Sequence, residues 1–386
     1  MAIAPERATT WDDFVRTGWG TLMGRLLRSY WQPVALSSDV AAGEAVPVRI
    51  MSEDLTLYRG QGGQAHLISD RCAHRGTTLS VGWVEEDCVR CFYHGWKYDA
   101  TGQCVEMPAE AESFAGKIRI AAYLVEEFAG VVFAYLGEGQ PPELPRLPEL
   151  RRGYGVQWAF KMVWPCNWFQ RVENAFDPWH ALFTHRRGSP THTTFLESGE
   201  GIVFDTEETD WGLRFSAVRG AENTRITEYL WPNSSHIMTS GPDPTQPWLD
   251  DVFWTVPVDD DHTLRVNVFS APYDGEAAEH LRGVAETQHA YDPSAHHAEL
   301  FRKQFPESIS VIQAQDYVAQ VGQGVIADRA TEHLGTSDRG VIALRKVFRR
   351  ELDALRASQA GKPWQPRTDF ARLPVPPGVP PAPDAA

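Results

Sequence analysis

Short alternations of apolar and polar residues dominate the first third of the chain. Val46 to Ile50, Leu55 to Tyr58 and Ala65 to Ser69 are strand-length runs, set apart by Gly-rich or acidic turns. Trp31-Gln32-Pro33-Val34 opens the series after residues 1–30, which read as helical, and IRIAAYLVEEFAGVVFAYLG at 118–137 completes it. The Pro-rich stretch GQPPELPRLPEL then reads as a linker.

Beyond the linker the rhythm lengthens. WAFKMVWPCNW leads into a helical patch at 167–186, and long strands follow. In His262 to Phe269, Leu264, Val266 and Val268 alternate with Arg265 and Asn267, which predicts a sheet with one buried face. Two helices are expected to close the fold. In the last, starting after Ser337, Val341, Leu344, Phe348, Leu352 and Leu355 recur at helical spacing and form an amphipathic stripe. The tail from Pro374, PVPPGVPPAPDAA, predicts extended or disordered chain. Strands followed by helices imply an α+β protein. The expected organisation is a helical extension over 1–27, an all-β domain over 28–140 and a second domain over 141–386.

Composition narrows the classes. A chain of 386 residues exceeds what one core usually serves, so two domains are expected. Hydrophobic residues at 42% and charged residues at 23% are ordinary for a globular protein. A net charge of −15 argues against nucleic acid as a partner, because binding a polyanion requires an excess of Lys and Arg. Neither a signal-peptide pattern nor an apolar run of about 18 residues occurs, so no membrane association and a cytoplasmic location are expected.

The five cysteines are Cys72, Cys88, Cys91, Cys104 and Cys166, an odd number unlike a disulfide framework. In RCAHRGTTLSVGWVEEDCVRCFYHGW, Cys72 and His74 form CxH, and Cys91 and His94 form CxxH. Each pair can converge from a short loop on one metal site. A structural zinc accepts the same four ligands. A [2Fe–2S] cluster of the Rieske kind requires mixed pairs, with both Cys on one iron and both His on the other. Zinc fingers usually pair like with like, which favours the cluster. Cys88 with Cys91 also spells CxxC, but no second CxxC exists; Cys88, Cys104 and Cys166 read as small buried residues.

A second constellation lies in ENAFDPWHALFTH, residues 173–185. His180 and His185 are five apart. On a straight helix that is a rotation of about 500°, roughly 140° out of alignment. If both bind one metal, the helix must break or bulge between them. Asp177 and Pro178 suit the cap and first turn of a helix. Two His and one carboxylate make a facial triad with open positions for oxygen. Asp316 is the candidate carboxylate, as an acid on the stripe Ile309, Ile312, Asp316, Ala319; Asp328 and Glu332 are weaker candidates.

With both motifs in hand, the chain resembles the catalytic subunit of Rieske non-haem iron ring-hydroxylating oxygenases. CxHRG…CxYHGWxY spans 72–98, with Phe92 in the variable place, and ENxxDPxHxxxxH spans 173–185. The resemblance implies an N-terminal β-rich Rieske domain and a C-terminal helix-grip domain. By position it assigns Cys72, His74, Cys91 and His94 to a [2Fe–2S] cluster. His180, His185 and Asp316 go to a mononuclear Fe(II). Asp177 matches a carboxylate that links a cluster His of one subunit to an iron-ligand His of the next, and Asn174 lies near that bridge. The segment 315–345 resembles the branch with phthalate dioxygenases and aromatic acid O-demethylases, which implies a homotrimer or a dimer of trimers.

The same resemblance implies electrons from NAD(P)H through a reductase or ferredoxin component. Gly322 to Ala327 matches GxGxxA but follows a helical segment, so it is not a nucleotide site. For the substrate, an aromatic carboxylate fits the branch, and Arg186 and Arg187 directly after the second motif could bind it. Trp164, Trp168, Trp179 and Phe183 could line an aromatic pocket or belong to the core. The competing functions are an electron-transfer protein without oxygenase activity and a zinc-stabilised binding module.

Overall fold

Two tight hairpins set the register of the first β-rich unit. In the computed structural model, which describes residues 8–151, 155–185, 202–219, 223–239, 248–288, 310–368 and 373–374, the chain divides into two units. Thr17–Leu144 is one; Met1–Arg16 with Pro145–Ala386 is the other. Only Trp11–Val15 (α1) and Leu22–Arg28 (α2) are helical among the described residues before β1, so the N-terminal region is less helical than its sequence suggests. The chain turns between them, and Thr21 caps α2 by accepting from Gly24 N at 3.1 Å.

In the Thr17–Leu144 unit, β1 (Trp31–Leu36), β2 (Ala45–Ile50), β3 (Glu53–Arg59), β4 (Ala65–Ser69), β5 (Trp83–Glu85), β6 (Cys88–Arg90), β7 (Lys97–Asp99), β8 (Cys104–Glu106), β9 (Ala122–Phe128) and β10 (Val131–Tyr135) form two antiparallel sheets. One runs β1-β10-β9-β4-β3-β2 and the other β5-β6-β7-β8. Met51–Ser52 and Ala129–Gly130 have positive φ at both turn positions, the type I′ geometry that matches strand twist. The core includes Tyr58, Ile68, Leu79, Val89, Trp96 and Tyr98, with Cys72 and Cys91 among them.

The other unit is organised by a seven-stranded antiparallel sheet in the order β11-β17-β16-β15-β14-β13-β12. Its strands are β11 (Val156–Trp164), β12 (Ile202–Glu208), β13 (Gly212–Arg219), β14 (Asn223–Leu230), β15 (Ser234–Thr239), β16 (Leu249–Pro257) and β17 (Thr263–Ala271). Between β11 and β12 lie α3 (Trp168–Asn174) and α4 (Pro178–Phe183); after β17 come α5 (Gly275–Gln288), α6 (Ser310–Val321) and α7 (Arg339–Arg356). Among the described residues, three helices thus follow the sheet where the sequence suggested two. On α7, Val341, Leu344, Phe348 and Leu352 are buried as the stripe requires, and Phe348 meets Phe169 edge-on at 5.3 Å.

The sheet departs from the expectation of one buried face. All nine residues of β16 are buried, and on β17 Asn267 is 1% exposed and Arg265 half-buried. The polar positions face a covered cavity rather than solvent. On the strands β14 to β16, Glu228, His236 and Asp250 form a buried ionic group, with His236 Nε2 2.8 Å from Asp250. Arg367, from the C-terminal segment, joins it at 3.4 Å from Glu228 and 2.6 Å from Glu149.

Candidate metal centres

Two loops in the Thr17–Leu144 unit close with the same backbone bonds. Cys72 N donates to Thr77 O at 2.9 Å and Gly76 N to Cys72 O at 2.8 Å; Cys91 N donates to Trp96 O at 2.8 Å and Gly95 N to Cys91 O at 3.0 Å. Both loops therefore span six residues and turn through a glycine of left-handed φ, +75° at Gly76 and +77° at Gly95. At Gly95 a Cβ would also lie 2.8 Å from Pro108 Cγ. The difference between CxH and CxxH is only where the His sits on an equivalent loop. Asp70 anchors the first loop by accepting from Thr56 Oγ1 at 2.7 Å and Ser80 N at 3.1 Å.

The side chains converge as mixed pairs. Cys72 and Cys91 are buried and close enough to interact, while His74 and His94 are half-buried with ring centroids 4.5 Å apart. Burial pushes the Cys91 thiol up. His74 stacks on Trp96 at 4.7 Å, and its buried Nδ1 has no partner. Tyr98 Oη lies 3.2 Å from Cys72 Sγ and accepts from Ala73 N at 3.0 Å. A buried thiol pair on loops that also carry an orphaned, buried imidazole nitrogen fits a metal cluster. A single zinc fits poorly: its ligand atoms lie about 3.3 to 3.8 Å from one another. Among the described residues, the one set of three or more His, Cys or acidic groups with ligand atoms all within 4.8 Å is a different one.

That set is His180, His185 and Asp316. Asp177 starts α4, its Oδ1 accepting from Trp179 N at 2.9 Å and His180 N at 3.2 Å. The helix ends at Phe183, so His185 sits in the following turn and escapes the misalignment of a straight helix. Asp316 arrives from α6, with Oδ1 3.4 Å from His185 Nε2 and 3.7 Å from His180 Nε2. Its apolar stripe is incomplete, since Ala319 is exposed and Ile309 lies outside the described residues. What places Asp316 is the pair of imidazoles it faces.

Hydrogen bonds fix the tautomers. His180 Nδ1 meets the Asp177 backbone oxygen, and His185 Nδ1 lies 3.0 Å from Gln315 Oε1. Both partners are acceptors, so each Nδ1 donates a proton, which turns each Nε2 toward Asp316 as the atom a metal would take. Burial pulls His180 down from the ordinary imidazole value. Burial works the same way on His185, but Asp316 outweighs it and raises the group. Burial alone would raise Asp316, yet His185 and His180 hold it well below the usual carboxylate range. Asn174 Nδ2 lies 3.3 Å from His180 Nε2 and 3.5 Å from Asp316 Oδ1. This donor set fits an Fe(II) with open positions.

The trio opens on a cavity of about 190 Å³. Its far wall is the sheet, where one cross-strand row runs Phe215, Thr227, Ile237, Asp251, Phe269, Trp158. Polar groups that sequence reasoning missed also line it, notably Arg171, Arg265, Asp251 and Asn267. Gln315 was missed as well; its only signal is adjacency to Asp316.

The remaining candidates fall elsewhere. Asp328 accepts from Ala330 N at 3.0 Å, and Glu332 pairs with Arg345 at 2.6 Å. Trp164 and Trp168 are buried, Trp179 is half-buried, and Phe183 is 69% exposed. Cys104 and Cys166 are buried, but Cys88 is only half-buried in β6. Gly322 to Ala327 follows α6 and no strand. Arg186 and Arg187 lie outside the described residues.

Residues 30–128 match the model of the Rieske [2Fe-2S] domain. The 5,5'-dehydrodivanillate O-demethylase oxygenase subunit of Sphingobium sp. (strain NBRC 103272 / SYK-6) is 33% identical over 352 residues, covering 89% of this chain and 80% of that protein. The chain belongs to the Rieske oxygenases. The phenoxybenzoate dioxygenase subunit alpha of Ectopseudomonas oleovorans is 35% identical over 369 residues, with 89% and 84% coverage. Among solved structures, the terminal oxygenase of carbazole 1,9a-dioxygenase from Nocardioides aromaticivorans IC177 shares the fold. It aligns with a TM-score of 0.66 and 23% identity over 90% of this chain and 98% of that one.

As a Rieske oxygenase the chain is an oxidoreductase, the terminal oxygenase component of its system, with an α+β fold. It uses a Rieske [2Fe–2S] cluster and a mononuclear iron and receives electrons from a reductase partner. The readings as an electron carrier without oxygenase activity and as a zinc module are set aside by these relatives. No helix among the described residues is long and apolar enough to cross a membrane.

Proposed function

We propose that this oxygenase acts on an aromatic carboxylate, by ring hydroxylation or oxidative O-demethylation. The observation that carries the proposal is the convergence of His180, His185 and Asp316 on the wall of a cavity lined by aromatic rings and cations. Two of the relatives above are named for dehydrodivanillate and phenoxybenzoate, both aromatic carboxylates by name.

In this reading Cys72 and Cys91 hold one iron of the cluster, His74 and His94 the other, and His180, His185 and Asp316 hold the mononuclear iron. When bound, the two centres supply stored electrons and activation of O2. The residues of the chain do the rest. Gln315 and the Asp177 carbonyl hold the imidazoles in one tautomer. Asn174 directs an amide N–H at Asp316. Asp177 caps α4 with Oδ1, which leaves Oδ2 to accept an imidazole N–H from a neighbouring subunit. That role requires assembly, and a homotrimer or a dimer of trimers is proposed. The domain boundaries proposed are 28–140 for the Rieske domain and 141–386 for the catalytic domain, and the reductase is proposed to draw on NAD(P)H.

A single-turnover assay tests the reaction without the partner. The holoenzyme is reduced anaerobically with dithionite and exposed to O2 with a panel of benzoates and methoxybenzoates. One product per chain is expected, with formaldehyde marking demethylation and a diol marking ring attack. Oxygen uptake that no aromatic acid stimulates refutes the substrate class.

A further inference from the structure

The cavity wall carries positive charge that the iron ligands do not account for. Arg171, on α3, is 4% exposed and lines the cavity. Its Nη1 donates to Gln320 Oε1 at 3.2 Å, and its guanidinium lies 3.2 Å from the centroid of the Trp164 ring. Its Nε is buried without a partner, and among the described residues no carboxylate pairs with it.

Arg265 lies on the sheet side of the same cavity. Its Nε donates to Asn267 Oδ1 at 3.0 Å, and it stacks 3.8 Å from the Phe253 ring centroid. The acid it approaches, Asp251, is 4.0 Å away and is already engaged by Asn267 Nδ2 at 2.8 Å. Burial depresses both arginines, and Arg265 adds repulsion at Arg171. Burial also lifts Asp251 to about 6. Two guanidiniums are therefore buried at the cavity, with Asp251 4.0 Å from Arg265 and Asp316, already engaged by the two imidazoles, acting on both only at longer range. A ring stack offsets only part of that desolvation; a bound anion offsets the rest.

We propose that Arg171 and Arg265 form an anion subsite of the cavity that takes the carboxylate of the substrate, with Gln320 and Asn267 orienting the two guanidiniums. A planar carboxylate matches the fork of a guanidinium, and Phe269 and Trp158 on the neighbouring row supply apolar surface for a ring. The assignment rests on reading the cavity as the substrate chamber. It moves the carboxylate anchor from the segment after His185 to helix α3 and strand β17.

The test is anaerobic calorimetric titration of the holoenzyme with benzoate, benzamide and acetate. Benzoate should bind at least about tenfold more tightly than benzamide or acetate, and Arg265→Gln and Arg171→Gln should each weaken benzoate by about tenfold or more without changing benzamide. Equal affinity for benzoate and benzamide, acetate as tight as benzoate, or an equal loss for both aromatic probes overturns the subsite.

Since Arg171→Gln alters a packed core, a wild-type crystal soaked in 4-bromobenzoate gives an independent reading. The bromine signal and the carboxylate density should place the carboxylate on both guanidiniums. Density on Arg225, which lines the same cavity, overturns the assignment. If benzoate binds through this pair but no aromatic acid is oxygenated, the proposed reaction fails and the subsite stands. If Arg265→Gln oxygenates aromatic acids with wild-type affinity, the subsite fails and the reaction stands.

Discussion

The two constellations are held together by opposite means. Around the cluster residues, backbone bonds close two matched six-residue loops, so the ligand positions follow from chain geometry over a short stretch. Around His180, His185 and Asp316, long-range side-chain contacts do most of the positioning: the Asp177 carbonyl holds His180, but His185 meets Gln315 across 130 residues of chain and Asp316 comes from α6. A backbone-held site tolerates little change in φ. A side-chain-held site depends on the partners of each imidazole. Each mode of failure is open to experiment.

The largest effect is expected from Asp316→Ala. Iron should fall from about three atoms per chain to about two, with the visible spectrum of the cluster intact and product formation abolished. Loss of colour together with iron would show that the sites are not independent. Asp177→Asn comes next. Asn caps a helix as well as Asp, so α4 and both metal contents should persist while turnover drops roughly a hundredfold. Unchanged turnover would remove Asp177 from the proposed bridge.

A smaller effect is expected at Gln315. Gln315→Leu deprives His185 Nδ1 of its acceptor and should weaken iron affinity by about 10- to 100-fold, read by competition with a chelator. The backbone counterpart is Gly95→Ala, which forces a left-handed Ala against Pro108. About 1–2 kcal/mol of strain should lower cluster loading while iron at the second site is unaffected. Full loading would show that the loop is not the determinant.

The smallest effect on turnover is expected from pH, acting on the sheet rather than on either centre. Burial alone would lower His236, but Asp250 and Glu228 hold it up, at about 9. Its folded pKa exceeds the ordinary value, so its contribution is complete below about pH 6.5 and is lost as pH rises toward 9. The loss amounts to about 3 kcal/mol. Thermal melts at pH 7 and pH 9 should show the transition of this unit falling while bleaching of the cluster does not follow it. Transitions that fall together would place the pH-sensitive group elsewhere.

These differences also decide what was legible in the sequence. Cys72, His74, Cys91 and His94 announce themselves because loop closure keeps ligand and turn glycine adjacent in the chain. Asp177 and Pro178 were readable for the same reason: a cap and a first-turn proline act within one turn of helix. Asp316 was singled out as an acid among apolar neighbours, although Ala319 on that stripe proved exposed. Arg171, Arg265, Asp251 and Gln315 were not legible. A polar residue alternating with apolar ones looks the same whether it faces bulk water or a chamber, and only the covering of the second sheet face distinguishes the two. Cys88 shows the reverse limit, since a three-residue strand carries too little pattern to fix burial.

The ion pair between Arg367 and Glu149 sets a practical limit on shortening the protein. Arg367 comes from the extended segment after α7, yet its side chain is fully covered and answers two buried acids, Glu149 and Glu228. A stop codon placed after Leu373 removes only the proline-rich tail. One placed before Arg367 strips Glu149 of its paired counter-charge, at about 3–5 kcal/mol, and leaves Glu228 to Arg214 and His236 alone, which would yield a chain prone to aggregation before either iron is loaded.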